Sequence, residues 1–111
     1  MLKKYLNKIV NVKIDRAINT KHPKHNFIYE LNYGFIPNTI SGDGEEIDAY
    51  ILEEQSPVET YEGEVVAIIH RLNDVEDKLV VAPINHKKYT KEEILQKVNF
   101  QEKFFKSEII M

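Results

Sequence analysis

The feature that most constrains the fold of this chain is a pair of apolar runs separated by a short acidic turn. Residues 65–69 read Val-Val-Ala-Ile-Ile and residues 78–82 read Lys-Leu-Val-Val-Ala. A continuous apolar run of this length is typical of a strand that is covered on both faces. Because the polar residues 73–77 provide a turn between the two runs, we predict an antiparallel β-hairpin.

Further strand patterns lie upstream of this hairpin. Val10, Val12 and Ile14 alternate with polar residues, which is the period-two pattern of a half-buried strand. Residues 27–31 and 47–52 are shorter strand candidates. We therefore predict mostly β-structure before the C-terminal region.

The C-terminal region changes to a helical pattern. Thr90 and Glu93 have the spacing of a capping box ahead of apolar helical positions, and Asn99 and Glu102 repeat that spacing. We therefore predict a helix after Thr90 and a second helical segment that continues to residue 108. Strands first and helices last predict a mainly β (α+β) fold, either a small β-barrel or a curled sheet, with a helical C-terminus.

Composition limits the class of protein and its surroundings. A length of 111 residues suits one domain, which we place at residues 1–111. The chain has no cysteine, so disulfides and thiolate metal sites are excluded and a reducing compartment is expected. Since no stretch resembles a signal peptide or a membrane span, we expect a cytoplasmic protein without a membrane partner. The formal net charge of −3 disfavours nucleic acid as a partner.

Two acidic turns are the candidate sites for chemistry. Residues 43–48 read Asp-Gly-Glu-Glu-Ile-Asp, and residues 74–77 read Asp-Val-Glu-Asp. Mg²⁺ prefers hard oxygen ligands, usually a few carboxylates together with waters and substrate phosphate oxygens. If the two turns adjoin, four or more carboxylates converge and require cations to offset their repulsion. The alternative is that these carboxylates are ordinary solvated turn residues.

Other residue patterns fit binding sites less well. His22 and His25 are close in sequence, but the proline between them prevents the helical face on which paired zinc ligands lie. The aromatic side chains of Phe100, Phe104 and Phe105 fit core packing better than a binding box.

Three motifs follow one another in residues 29–83. Residues 29–36 fit the pattern Tyr-x-x-Asn-Tyr-Gly-x-Ile, and residues 43–48 form an Asp-rich signature. Residues 74–83 form an acidic turn that leads into a lysine-bearing strand. In this order the motifs resemble those of the soluble (family I) inorganic pyrophosphatases. Upstream, residues 12–16 are similar to the first strand of that family, with Asp15 where a Glu is usual.

This resemblance implies a fold, a reaction and a metal site. The implied fold is an OB-like, pyrophosphatase-type β-barrel with a C-terminal helix. The implied reaction is the hydrolysis of pyrophosphate to two phosphates with Mg²⁺, for which Mn²⁺ is the alternative. The implied metal ligands are Asp43, Asp48, Asp74 and either Glu76 or Asp77.

The resemblance also implies catalytic and substrate-binding residues. Glu45 would hold and deprotonate the attacking water, and Asp48, Lys78 and Tyr33 would act with it. The residues implied on the phosphate side are Tyr29, Tyr33 and Lys78.

The chain departs from the family pattern at several positions. A hairpin after the first strand is missing, and with it a Glu and an Arg of the usual site. Arg16, Lys21 and Lys24 are the candidates to replace the lost cation at the substrate. Residues 104–106 read Phe-Phe-Lys where the family has a Tyr-Lys pair, and Glu45 is one methylene longer than the usual aspartate.

These departures leave two alternatives to a pyrophosphatase with full activity. One is a catalytically weak protein that binds pyrophosphate or a nucleotide, and the other is a hydrolase of another phosphoanhydride. An OB-like nucleic-acid or protein-interaction module fits less well because the chain is acidic. The sequence does not determine the oligomeric state, and a homo-oligomer is one of the open alternatives.

Overall fold

The structure is a computed structural model that describes residues 2–111. Within this range a short 3₁₀-helix at Leu2–Tyr5 precedes six strands and one α-helix. The strands are β1 (Ile9–Arg16), β2 (Asn32–Ile36), β3 (Ile47–Ile51), β4 (Thr60–Arg71), β5 (Asp77–Ala82) and β6 (Ser107–Ile110), and helix α1 spans Lys91–Glu102. No helix of the described chain is long and apolar enough to cross a membrane.

Five of the strands close into a barrel. They follow one another in the order β1-β2-β3-β5-β4, and β4 pairs again with β1. The β3–β5 pairing is parallel and the others are antiparallel. Closure pairs the strand edges that an open sheet would expose. The predicted mainly β barrel with a C-terminal helix is confirmed.

The central hairpin of β4 and β5 is covered on both faces. Val65 lies opposite Val81 in the antiparallel register, and both belong to a cluster inside the barrel. Ile69 and Val80 belong to a second cluster, which contains Ile94 of α1. On β5 the side chains therefore alternate between the barrel interior and the cluster beneath the helix, whereas on β4 a bulge between Val65 and Ala67 places both Val66 and Ala67 beneath the helix. This arrangement accounts for the continuous apolar runs, and the predicted hairpin is confirmed.

The start of helix α1 is fixed by a capping box. The Thr90 hydroxyl accepts from the backbone N–H of Glu93 at 3.1 Å, and the backbone N–H of Thr90 donates to the Glu93 carboxylate at 3.1 Å. These bonds satisfy amide groups that have no partner within the helix. The helix predicted after Thr90 is confirmed.

The second helical segment predicted from Asn99 is wrong. Helix α1 ends at Glu102, and residues 107–110 form β6, which pairs with the C-terminal half of β4. Asn99 lies inside α1 and therefore cannot be the N-cap of a second helix, and the Glu102 carboxylate is bonded to Arg71 at 2.7 Å instead. The far end of β4 extends beyond its pairing with β1, and β6 supplies the backbone partners there.

The strand predicted at residues 27–31 is also wrong, because this segment lies in the β1–β2 loop (residues 17–31) and β2 begins at Asn32. The backbone amide of Tyr29 donates to the Thr20 carbonyl at 2.8 Å, and the amide of Asn19 donates to the Tyr29 carbonyl at 2.8 Å. The loop thus satisfies its backbone groups locally and folds back on itself.

Candidate functional site

A cavity of about 520 Å³, called here the main cavity, lies between the β1–β2 loop and the segment that follows α1. One end of it is charged and is lined by Asp15, Arg16, Asp48, Arg71 and Lys78. These residues come from the ends of four barrel strands, so closure of the barrel brings together groups that are distant in sequence.

Lys78 is the centre of the charged end. Its ammonium group donates to Asp48 Oδ2 at 2.6 Å and also contacts Glu76 Oε1. The Tyr33 hydroxyl donates to the same Oδ2 atom of Asp48 at 3.0 Å. Lys78 is only 3% exposed, so its charge is poorly screened by water and acts strongly on any anion beside it. β5 is adjacent to β3 in the sheet, which is why Lys78 reaches Asp48.

The environment shifts the pKa values of the carboxyl groups around Lys78. Burial raises the pKa of Glu76 to about 7, with Lys78 opposing and Asp48 reinforcing this increase. Burial likewise raises the pKa of Asp15, where the Arg16 guanidinium acts in the opposite direction and Asp48 adds to the increase. Asp15 and Asp48 line the main cavity and Glu76 contacts Lys78, so three carboxyl groups lie around this ammonium group, and a divalent cation would offset their mutual repulsion.

The two acidic turns meet in space. A Cβ atom at Gly42 would overlap the carbonyl oxygen of Val75, so only glycine permits this approach. The Ser41 hydroxyl donates to Asp43 at 2.5 Å, and this hydrogen bond is the largest cause of the lowered pKa of that carboxyl. Asp43 is exposed, and the approach of Gly42 to Val75 brings its turn beside the turn that carries Glu76.

Other predicted site residues lie away from this cluster. Asp77 bonds His70 Nδ1 at 2.8 Å and lies on the face of β5 opposite to Lys78. Asp74 lies 3.5 Å from Arg71, and Glu45 is exposed on its turn and does not line the main cavity. In residues 2–111 no three His, Asp or Glu side chains are placed to ligate one ion as they stand.

Of the predicted basic and tyrosine residues, some line the main cavity and others do not. Arg16 lines the main cavity together with Tyr29, whose hydroxyl donates to Gln101 at 3.2 Å. Lys21 and Lys24 are exposed and do not line this cavity. Arg16 is therefore the cation of the three that lies beside the charged end.

Sequence reasoning missed Arg71 as a cavity residue. Its guanidinium is 5% exposed, pairs with Glu102 through two nitrogen atoms at 2.7 and 3.1 Å, and lies 3.6 Å from the ring centre of Phe105. The available signal is an arginine at the end of an apolar strand run, after His70, but its partner Glu102 is 31 residues away.

The core prediction for the C-terminal aromatic residues holds only in part. Phe100 is 6% exposed and belongs to the cluster beneath α1. Phe104 is 55% exposed, and it lines the main cavity together with Phe105, His22 and His25. The prediction of core packing is therefore wrong for Phe104, because α1 has ended and the following turn faces the cavity.

The donor set at the charged end fits Mg²⁺. This ion commonly uses one or two carboxylates and completes its shell with water and substrate phosphate oxygens. Asp48 and Glu76 both contact Lys78 and supply such a pair, and Asp43 lies on the adjoining turn. Mn²⁺ accepts the same oxygen donors.

The fold and the site are those of a β-barrel protein that binds phosphate groups. A closed β-barrel whose cavity holds Lys78, Arg16 and Arg71 beside a carboxylate cluster is an arrangement suited to phosphate groups. The family model for inorganic pyrophosphatase matches residues 5–109. The chain belongs to the inorganic pyrophosphatase family.

Individual relatives agree with this assignment. The chain is 39% identical over 62 residues to the inorganic pyrophosphatase of Neisseria meningitidis (51% of this chain and 34% of the relative). It is 31% identical over 87 residues to that of Picrophilus torridus (72% and 45%). The matched region thus spans less than half the length of these curated relatives.

Solved structures show the same fold. The inorganic pyrophosphatase of Ehrlichia chaffeensis superposes with a TM-score of 0.70 at 19% identity, covering 92% of this chain and 84% of that chain. That of Coxiella burnetii gives a TM-score of 0.68 at 15% identity, covering 94% and 84%. At these identities the likeness concerns the barrel and its helix.

Proposed function

We propose that this protein hydrolyses inorganic pyrophosphate to two phosphates and that it requires a divalent cation, Mg²⁺ or alternatively Mn²⁺. The observation that carries the proposal is the Lys78 ammonium held between Asp48 and Glu76 at the charged end of the main cavity. The membership of the inorganic pyrophosphatase family supports it.

The cations of the cavity bind and orient the substrate. Lys78 and Arg16 neutralise charge on the phosphate groups, and their fixed positions favour the transition state, in which charge moves to the leaving phosphate. Tyr33 holds Asp48 in place through the 3.0 Å hydrogen bond. Tyr29 also lines the main cavity, whereas Lys21 and Lys24 would have to reach the cavity from exposed positions.

The carboxylates hold the metal and the water. Asp48 and Glu76 are the proposed ligands, and Asp43 on the adjoining turn is a further candidate. When bound, the cation lowers the pKa of a coordinated water and offsets the phosphate charge. Asp74 and Asp77 are not among the proposed ligands, because they contact Arg71 and His70 respectively.

The reaction requires one displacement. Water attacks one phosphorus atom, the bond from that phosphorus to the bridging oxygen breaks, and the bridging oxygen leaves with the second phosphate. Asp48 orients the water, and Glu45 remains the proposed acceptor of its proton. Because Glu45 is exposed on its turn, this role requires its side chain to turn into the cavity.

The direct test is phosphate release from pyrophosphate by the purified protein, with Mg²⁺ and in parallel with a chelator. We expect release with Mg²⁺ and none with the chelator. Full activity in the chelator would contradict the metal requirement, and no release under either condition would contradict the proposed reaction.

A second candidate is a protein that binds pyrophosphate without hydrolysing it. The exposure of Glu45 favours it, because the proposed proton acceptor does not line the cavity. Calorimetric binding of pyrophosphate with Mg²⁺, in a preparation that releases no phosphate, would identify this function.

A further inference from the structure

Part of the main cavity is lined by aromatic and imidazole side chains. His22, His25 and Phe27 come from the β1–β2 loop, and Phe104 and Phe105 come from the segment after α1. The Phe104 ring is stacked with that of His25 at 5.9 Å and with that of Phe27 at 5.7 Å between ring centres. We call these five side chains the aromatic wall.

The aromatic wall is not explained by packing alone. Phe104 is 55% exposed and His25 is also exposed, although both line a concave surface. The exposed area of Phe104 belongs to a contiguous group of rings inside a cavity, and such a patch is typical of a ligand-binding groove. The nearby Phe100, at 6% exposure, shows how the same side chain is placed when its role is core packing.

The wall is continuous with the charged end. Tyr33, which bonds Asp48, lies 5.6 Å from the ring of Tyr29. Tyr29 lies 5.4 Å from Phe27, and Phe27 lies 5.7 Å from Phe104. A single ligand can therefore contact the charged end with one part and the wall with another.

Pyrophosphate uses only part of this cavity. It is a small inorganic anion with no apolar or aromatic surface, whereas a volume of about 520 Å³ is in the range that holds an organic ligand. Flat aromatic and imidazole side chains bind planar rings by stacking. The ligand that matches both ends carries a diphosphate and a planar base.

We propose that the aromatic wall is a binding subsite for the base of a nucleoside diphosphate. The diphosphate then occupies the charged end, so this assignment of the ligand class rests on the proposed function. Where that function holds, water attacks the terminal phosphorus and its bond to the bridging oxygen breaks. The bridging oxygen leaves with the nucleoside monophosphate, and inorganic phosphate and one proton are released.

The test compares binding of adenosine diphosphate and of pyrophosphate by calorimetry in the presence of Mg²⁺. In Phe104→Leu, which retains apolar bulk but no ring, we expect the affinity for adenosine diphosphate to fall by about tenfold. Phe104→Tyr should retain it, and pyrophosphate affinity should be unchanged in both variants. Leu95→Ala, which alters an exposed side chain of α1 that does not line the main cavity, is the matched control.

The outcomes separate this proposal from the proposed function. If Phe104→Leu binds adenosine diphosphate as tightly as the unsubstituted protein does, the subsite is overturned whether or not pyrophosphate is hydrolysed. Failure of the protein to bind adenosine diphosphate overturns it as well. Ring-dependent binding without phosphate release from pyrophosphate would support the subsite and reject the hydrolytic function. Because Phe104 is about half exposed, we expect its variants to fold, and thermal unfolding is the measurement that checks this.

Discussion

At the scale of single residues, strand alternation distinguishes two adjacent carboxylates that the sequence motif does not separate. Glu76 lies two residues before Lys78 and contacts it, while Asp77 bonds His70 on the other face of β5. Side chains two residues apart share one face of a strand. The same rule, applied to the sequence, would have favoured Glu76.

The first prediction follows from this geometry. Glu76→Gln removes a proposed metal ligand, so kcat/KM for pyrophosphate should fall by about 100-fold, as expected for a lost electrostatic contact to the transition state. Asp77→Asn should change it far less because that carboxylate faces His70. Steady-state kinetics at saturating Mg²⁺ measure both. A larger loss in Asp77→Asn than in Glu76→Gln would reverse the assignment.

The sequence predicts the core of the candidate site better than its periphery. Tyr33, Asp48 and Lys78 lie in motifs, and the structure brings these three together. Arg71 escapes prediction because its role depends on Glu102 in a distant element. Glu45 lies in the acidic motif, yet its side chain is exposed, since a turn motif fixes the backbone more strongly than the direction of each side chain.

At the scale of elements, a buried ion pair joins the end of β4 to the end of α1. Arg71 donates two hydrogen bonds to Glu102, and the hydroxyls of Tyr50 and Ser107 donate to the same carboxylate at 2.6 and 2.7 Å. Burial acts to raise the pKa of Glu102, but the hydrogen bonds from Arg71 and Tyr50 outweigh it and the pKa is lowered. This carboxylate therefore stabilises the fold in its ionised form.

The second prediction concerns this pair. Glu102→Gln removes the carboxylate that pairs with the buried Arg71 at 2.7 Å and leaves only the more distant Asp74, at 3.5 Å, so it should lower the free energy of unfolding by about 3–5 kcal/mol. Glu92→Gln, an exposed position on the same helix, should change it little. Urea unfolding at neutral pH measures both. Equal stability of the two variants would contradict a stabilising role for the pair.

The third prediction is the pH dependence of the same interaction. Because the pKa of Glu102 is lower in the folded state than in the unfolded state, its contribution is complete above the unfolded value and disappears as the pH falls through the folded value. The stability difference between the unsubstituted protein and Glu102→Gln should therefore shrink on acidification. A difference that grows as the pH falls would contradict the sign of the shift.

Elements with local signals are predicted well, and those with distant partners are not. The β4–β5 hairpin and the capped start of α1 are specified by neighbouring residues. β6 is not predicted because it pairs with the edge of β4 that extends beyond β1, and that part of β4 lies more than 30 residues earlier in the chain. The spacing of Asn99 and Glu102 suggests a cap, but the tertiary contact to Arg71 takes the carboxylate.

At the scale of the whole molecule, closure of the barrel places the two acidic turns side by side. β3 and β5, which carry Asp48 and Lys78, are parallel neighbours in the sheet. The strand pattern predicts a small β-barrel or a curled sheet, but strand order cannot be read from the pattern, because β3 and β5 are separated in sequence by β4. The site is therefore a product of topology as much as of motif.

The fourth prediction uses the linkage between binding and global stability. A ligand that binds only the folded state raises the free energy of unfolding, by about 2.7 kcal/mol at 100 times its dissociation constant. Mg²⁺ should therefore raise the melting temperature of the unsubstituted protein, and raise that of Glu76→Gln less. Thermal scans with and without Mg²⁺ measure this effect, and equal shifts in both proteins would place the ion elsewhere.

The most direct test of the central claim is kcat/KM for pyrophosphate in Asp48→Asn, measured beside Glu92→Gln as a control for the loss of one carboxylate. Asp48 is the residue on which Lys78 and Tyr33 converge, so we expect a fall of at least about 100-fold in Asp48→Asn and none in Glu92→Gln. Unchanged turnover in a folded Asp48→Asn protein would show that hydrolysis does not take place at the charged end of the main cavity.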